Sequence, residues 1–187
     1  RVFGNDGKTL IVPIDHGLAS GPVAGLEQPN KIIKTLISEG IDAILTTYGV
    51  ANKFAHAFGK TGLILRMDGG PTDLARDPEA TDLMCTVEDA LRLGADAVIT
   101  SVWLGGVHEA RTMTSAMKLA GECEAWGMPL IVETFISAEI EITVDHIALV
   151  SRIAAELGAD IIKTYLRGDA AAFKKVTATC FRPIVIL

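Results

Sequence analysis

Lys163 stands inside the apolar run Ala159-Asp160-Ile161-Ile162-Lys163-Thr164-Tyr165-Leu166. Lysine is rarely buried unless a partner or a reaction holds it there. Burial disfavours the charged ammonium, and a neutral amine is a nucleophile that forms a Schiff base with a carbonyl carbon. An ordinary lysine amine is neutral in only ~1 molecule in 2,500 at pH 7. Making half of them neutral takes about 4–5 kcal/mol of differential interaction, within the range burial supplies. Other polar residues recur at the ends of apolar runs: Asp15, His16, Arg66, Asp68, Trp103, Glu133 and Tyr165. Lys163 is read as the nucleophile, Asp15 as a proton-transfer or substrate-orienting residue, and Glu133 as an acid/base. His16, Arg66, Asp68, Trp103 and Tyr165 are read as substrate contacts. Structural alternatives stand beside these readings. Asp15 could cap a loop, Arg66 could pair with Asp68 or Asp15 rather than hold a phosphate bidentately, Trp103 could be a wall, and Lys163 could form an ion pair with Glu133.

These residues need elements to position them. The segment Ser38-Glu39-Gly40-Ile41-Asp42-Ala43-Ile44-Leu45 resembles Arg92-Leu93-Gly94-Ala95-Asp96-Ala97-Val98-Ile99, and both resemble Glu156-Leu157-Gly158-Ala159-Asp160-Ile161-Ile162-Lys163. Each reads as a helix ending at a glycine, then an aspartate, then a β-rich run. Such runs, apolar on both faces, suit a parallel sheet. Seven strands are predicted: Leu10–Ile14, Ala43–Thr47, Leu63–Met67, Ala97–Val102, Leu130–Phe135, Ile161–Tyr165 and Pro183–Leu187. Helical patterns fill most gaps, including Gln28–Ser38, His108–Trp126 and Val144–Leu157. No GxGxxG follows the first strand, which argues against a dinucleotide-binding fold. Alternating strands and helices spaced by about 29 residues predict an α/β fold, a (β/α)8 TIM barrel that stops after strand 7. One barrel domain is expected over residues 1–187, with its last βα portion outside them. Active sites of such barrels lie at the C-terminal strand ends, where the polar residues above gather. Period-two alternation puts Ile161, Lys163 and Tyr165 on one face, and Glu133 and Phe135 on one face of the preceding strand. If Lys163 points into the barrel, Glu133 on the adjacent strand is a candidate proton-transfer partner. An ionised Glu133 would hold the amine protonated, so a useful one is protonated or acts on the substrate.

Composition narrows the function classes. Hydrophobic residues make up 49% and charged residues 21%, with a formal net charge of −6. An acidic balance of this kind is not a nucleic-acid footprint. No apolar run approaches the roughly 20 residues that span a bilayer, and no signal peptide is visible. Cys85, Cys123 and Cys180 are scattered, without a CxxC, so a thiol zinc site is not expected and a reducing cytoplasm is. The chain opens on Arg1 and closes in the apolar Ile184-Val185-Ile186-Leu187, from which a longer parent protein is expected.

Asp15-His16-Gly17-Leu18-Ala19-Ser20-Gly21-Pro22, with Gly158-Ala159-Asp160-Ile161-Ile162-Lys163 and Arg167-Gly168-Asp169, resembles the archaeal-type class I aldolases. That group spans fructose-bisphosphate aldolases, aminodideoxyheptulosonate synthases and thiolase-like members within the DeoC-like superfamily. The resemblance implies a TIM barrel with Lys163 as the Schiff-base lysine on the sixth strand and Asp15 as an active-site aspartate. It implies a phosphorylated carbonyl substrate, no metal or other cofactor, and a large homo-oligomer, often a decamer. One departure is visible. Where the fructose-bisphosphate members carry a tryptophan and an acid tyrosine, this chain has Glu133 and Phe135. Either Glu133 takes over the proton transfer or the reaction differs. The family's phosphate loops follow the seventh and eighth strands, past Leu187. The expectation is a Schiff-base aldolase; the rivals are a transaldolase- or thiolase-like transfer on the same scaffold, and a non-catalytic binding or assembly barrel.

Overall fold

The repeated aspartates explain how strands are started. In a computed structural model describing all residues Arg1–Leu187, the Asp42 carboxylate accepts the Leu10 N–H at 2.7 Å, while the Asp42 N–H donates to the Leu10 carbonyl. Asp96 makes the same two bonds with Leu63, and Asp160 with Leu130. Each aspartate thus pins the base of its own strand to the base of the preceding one. The preceding glycines have positive φ: 77° at Gly40, 74° at Gly94 and 96° at Gly158. This is the left-handed turn that ends a helix. One short motif therefore stops a helix, turns the chain and sets a strand's register.

The elements follow in chain order as β1 (Ile11–Pro13), α1 (Gly17–Ser20), α2 (Pro29–Ser38), β2 (Ala43–Thr46), α3 (Tyr48–Phe54), β3 (Gly62–Arg66), α4 (Val87–Arg92), β4 (Ala97–Leu104), α5 (Glu109–Trp126), β5 (Leu130–Ile136), α6 (Val144–Glu156), β6 (Ile161–Thr164), α7 (Ala170–Thr179) and β7 (Ile184–Ile186). A two-stranded ribbon, Asp68–Gly69 with Asp82–Leu83, lies between β3 and α4. The order of strands in the main sheet is their order in the chain. All seven predicted strands are present. β4 and β5 run longer than expected, and β6 ends at Thr164, just before Tyr165.

Contacts divide the chain into two compact units. The first is Arg1–Pro78 with Leu83–Val98, and the second is Glu79–Asp82 with Ile99–Leu187. In the first, β1 pairs in parallel with β2 (Val12 opposite Ile44) and β2 with β3 (Leu45 opposite Ile64). Ile33, Ile44, Leu45, Ile64 and Leu65 are fully buried there. Each contributes roughly 1.5–3 kcal/mol of hydrophobic stabilisation. In the second, β5 pairs in parallel with β6 (Glu133 opposite Lys163) and β6 with β7 (Lys163 opposite Val185). Ile147, Ala148 and Val176 cover this sheet, with Tyr165 and Phe173 packed against them.

Helix starts follow local rules. Thr86 and Asp89 form a reciprocal capping box on α4. Thr143 caps α6 through the His146 N–H at 3.1 Å. Asp169 caps α7 through the Ala172 N–H at 2.8 Å. Asp169 belongs to the Arg167-Gly168-Asp169 motif, so that motif has a structural cause as well as a family likeness.

Candidate active site

In the second unit the parallel register of β5 and β6 sets Glu133 beside Lys163 on one sheet face. Lys163 Nζ donates to Glu133 Oε1 at 2.5 Å, and the side chains are only 13% and 3% exposed. On the opposite face Thr134 Oγ1 donates to Thr164 Oγ1 at 2.9 Å, locking the same register one residue on. A slip of one residue would exchange the two faces and separate the pair. Burial of this kind makes the pair costly to break from one side: removing one member costs about 3–5 kcal/mol because the other buried charge loses its opposite charge.

One step nearer the C-terminal strand ends, the rings form a second level. Trp103 stacks on Phe135, with centroids 4.5 Å apart and planes 16° apart. Tyr165 meets Phe135 edge-on, with centroids 6.3 Å apart. Both arrangements are ones that aromatic quadrupoles favour. Trp103 Nε1 is buried without a hydrogen-bond partner. Burial pushes the Tyr165 phenol above its ordinary range; the nearby Ile136 backbone N–H works the other way and the Glu133 charge adds to the rise.

The first unit gathers a different set. Arg66 Nε donates to Asp15 Oδ2 at 2.9 Å and Arg66 Nη1 to Asp68 Oδ1 at 3.3 Å. All three side chains are nearly buried. Of the two readings of Arg66, a phosphate holder or an ion-pair partner, the structure shows the second, with both carboxylates engaged at once. Arg66 and Asp68 also line a cavity of about 640 Å³ in this unit, together with Leu18, Leu26, Tyr48 and Met84. Gly69 lies under Leu18 and Met84, where a Cβ would clash with both. His16 is exposed at the start of α1, offering its backbone carbonyl to the N–H groups of Ala19 and Ser20. Of the residues singled out from sequence, Lys163, Glu133, Trp103 and Tyr165 thus fall in one unit and Asp15, His16, Arg66 and Asp68 in the other.

A carboxylate that sequence reasoning missed is Glu79. It is buried, accepts from Ser137 Oγ at 2.8 Å and from the Ala138 N–H at 3.3 Å, and fills the space a Cβ on Gly106 would need. Gly105 donates its N–H to the Glu109 carboxylate. The Gly105-Gly106 pair therefore serves packing and a helix start, and one of its amides is already committed. Glu79 sits in an irregular stretch where no periodicity marks a buried position; the Gly-Gly pair was the one available hint.

Comparison with known proteins bears on the family and the fold. A family model described as DeoC/LacD family aldolase matches residues 9–187. The chain is 34% identical over 187 residues to a 3-hydroxy-5-phosphonooxypentane-2,4-dione thiolase from Klebsiella pneumoniae, and spans 62% of that protein's length. It is 32% identical over 187 residues to 2-amino-3,7-dideoxy-D-threo-hept-6-ulosonate synthase 1 from Archaeoglobus fulgidus, spanning 69% of it. An archaeal fructose-1,6-bisphosphate aldolase, solved with its catalytic lysine covalently bound to the carbinolamine intermediate of the substrate, superposes on all of the chain and 76% of its own. The TM-score is 0.88 at 27% identity. The TIM-barrel class expected from strand spacing is the class these strands and this superposition support. By its sequence match, its parallel strands and its structural likeness, the chain belongs to the DeoC/LacD family of aldolases.

Proposed function

We propose that this protein is a class I aldolase that makes or breaks a carbon–carbon bond in a phosphorylated sugar or keto compound through a Schiff base on Lys163. The observation that carries the reading is the nearly buried 2.5 Å bond between Lys163 Nζ and Glu133 Oε1. Moving the proton along that bond turns an ammonium and a carboxylate into a neutral amine and a carboxylic acid. The amine attacks the carbonyl carbon, and the acid gives its proton to the carbinolamine hydroxyl as water leaves. The iminium then draws electrons from the adjacent carbon, and the Glu133 carboxylate takes the proton released there. Asp15, fixed by Arg66, orients the substrate in this reading, with His16, Arg66, Asp68, Trp103 and Tyr165 contacting it.

No helix is long and apolar enough to cross a membrane. With three free cysteines suited to a reducing compartment, we place the protein in the cytoplasm as a homo-oligomer acting as one barrel domain. The test is borohydride reduction in the presence of fructose 1,6-bisphosphate, dihydroxyacetone phosphate and unphosphorylated ketoses. A covalent adduct mapped to Lys163, absent from Lys163→Met, supports the reading; no adduct with any of them sinks it.

A thiolase-like transfer is a second reading, favoured by Glu133 and Phe135 and by the Klebsiella relative's name. Product analysis with water and a thiol as competing acceptors separates it from cleavage, because only transfer yields a thioester.

A further inference from the structure

Lys163 and Glu133 have a further neighbour on their sheet face. In a parallel ladder the N–H one residue past a pair donates to the carbonyl of the partner. The Leu187 N–H donates in this way to the Thr164 carbonyl at 2.9 Å, and Thr164 is opposite Ile186. Between the neighbouring strands β4 and β5 the Ser137 N–H donates to the Leu104 carbonyl at 2.9 Å. Leu104 is therefore opposite Ile136, and Trp103 is opposite Phe135, whose rings stack at 4.5 Å. Two residues back, still within both strands, Ser101 is opposite Glu133. A row of side chains thus runs from β4 to β7: Ser101, Glu133, Lys163 and Val185. On the same face the buried Ile99, Ile131 and Ile161 precede this row, and Trp103 and Phe135 follow it. Ser101 is 8% exposed.

The two sides of Lys163 differ in chemistry. Val185 on one side is apolar, and Glu133 and Ser101 on the other are polar. Lys163 Nζ leans to the polar side, bonded to Glu133 Oε1 at 2.5 Å. On the reading above Glu133 takes the proton from the carbon next to the iminium, so that reacting carbon lies on the Glu133 side of the amine. Ser101 is the next side chain outward, one strand spacing of about 4.8 Å past Glu133. A serine hydroxyl both donates and accepts. We infer, building on the Schiff-base reading above, that Ser101 is a specificity-determining residue. Its hydroxyl bonds a hydroxyl on the reacting carbon, so the enamine forms from hydroxymethyl ketones in preference to methyl ketones. A methyl group there offers the Ser101 hydroxyl nothing to bond, which is how a site built for a hydroxyl rejects an analogue without one.

The test is borohydride trapping at Lys163 with two ketones below saturation. One is dihydroxyacetone phosphate; the other is hydroxyacetone phosphate, which has a methyl group in place of the hydroxymethyl. Intrinsic differences in carbonyl reactivity cancel when the ratio of the two trapping rates is compared between proteins. Ser101→Ala should lower that ratio by about tenfold or more, with hydroxyacetone phosphate trapped within about threefold of the unaltered protein. A merely structural loss would slow both ketones alike. Threonine and valine have one shape and differ by a hydroxyl against a methyl. Ser101→Thr should therefore keep the ratio within about threefold, and Ser101→Val should lose it. A ratio within about threefold of the unaltered protein in Ser101→Ala, or in Ser101→Val where Ser101→Ala does not fold, overturns the inference. An equal loss with both ketones does the same, as does a Ser101→Thr ratio as low as that of Ser101→Val. No trapping of either ketone in the unaltered protein overturns the Schiff-base reading, and this inference with it.

Discussion

Each compact unit holds a nearly buried cation against carboxylates, but the cations differ and so do the counts. In the first unit one guanidinium, Arg66, is shared by Asp15 and Asp68. In the second one amine, Lys163, meets Glu133. Arginine keeps its proton in proteins and offers a planar fork. Held by two carboxylates, it is a rigid brace that fixes Asp15 in one orientation. Lysine carries a compact charge whose proton can leave, and beside it stands a carboxyl that can receive it. On the proposed reading the brace positions and the pair reacts. Sequence alone marks both as charged residues at strand ends; only the choice of cation separates a fixture from a reagent.

Exchanging the two cations' chemistry is the sharpest way to break this comparison. Lys163→Arg preserves the charge opposite Glu133 but cannot supply a neutral amine. Turnover should fall by about 10⁴ or more, with no borohydride adduct by mass spectrometry. Residual trapping at another lysine would contradict it. Arg66→Met tests the brace, since it takes the shared guanidinium away from two nearly buried carboxylates. Urea unfolding should show a loss of about 3–5 kcal/mol, and a loss below about 1 kcal/mol would mean that the carboxylates are not confined as described.

Away from both sites, Asp160→Ala leaves the Leu130 N–H without its partner. The change should cost about 1–3 kcal/mol in urea unfolding. Asp160→Asn, which keeps an accepting oxygen, should lose less. Equal losses would mean that the carboxylate acts by charge rather than by pinning the strand. The smallest effect concerns Cys123, whose thiol burial and the Asp160 and Glu122 charges push up from 9.0 to about 12. Its folded-state value is raised, so the contribution to stability is complete below about pH 9 and is lost as pH rises toward 12. Unfolding midpoints at about pH 8 and about pH 10.5 should therefore differ less in Cys123→Ala than in the unaltered protein.

Much of the scaffold was legible because its signals are local. The Gly-x-Asp repeats declared where helices stop and strands begin, and the apolar runs declared a parallel sheet. Lys163 was legible as an anomaly, a charge where solvation is scarce. Its pairing with Glu133 was legible conditionally, since alternation assigns faces but not neighbours. Glu79 was not legible, because its burial depends on how the Ser137 and Gly106 loops close over an irregular segment.

Sequence by itself determined the alternation of elements, the helix stops, the strand faces and the presence of a lysine inside an apolar run, all properties of short stretches of chain. Tertiary structure alone decided that Glu133 lies opposite Lys163, that Arg66 is shared by Asp15 and Asp68, and that Tyr165 meets Phe135 edge-on. Those are contacts between residues far apart in the chain. They exist only once strand register and loop closure bring them together, and no periodicity encodes them.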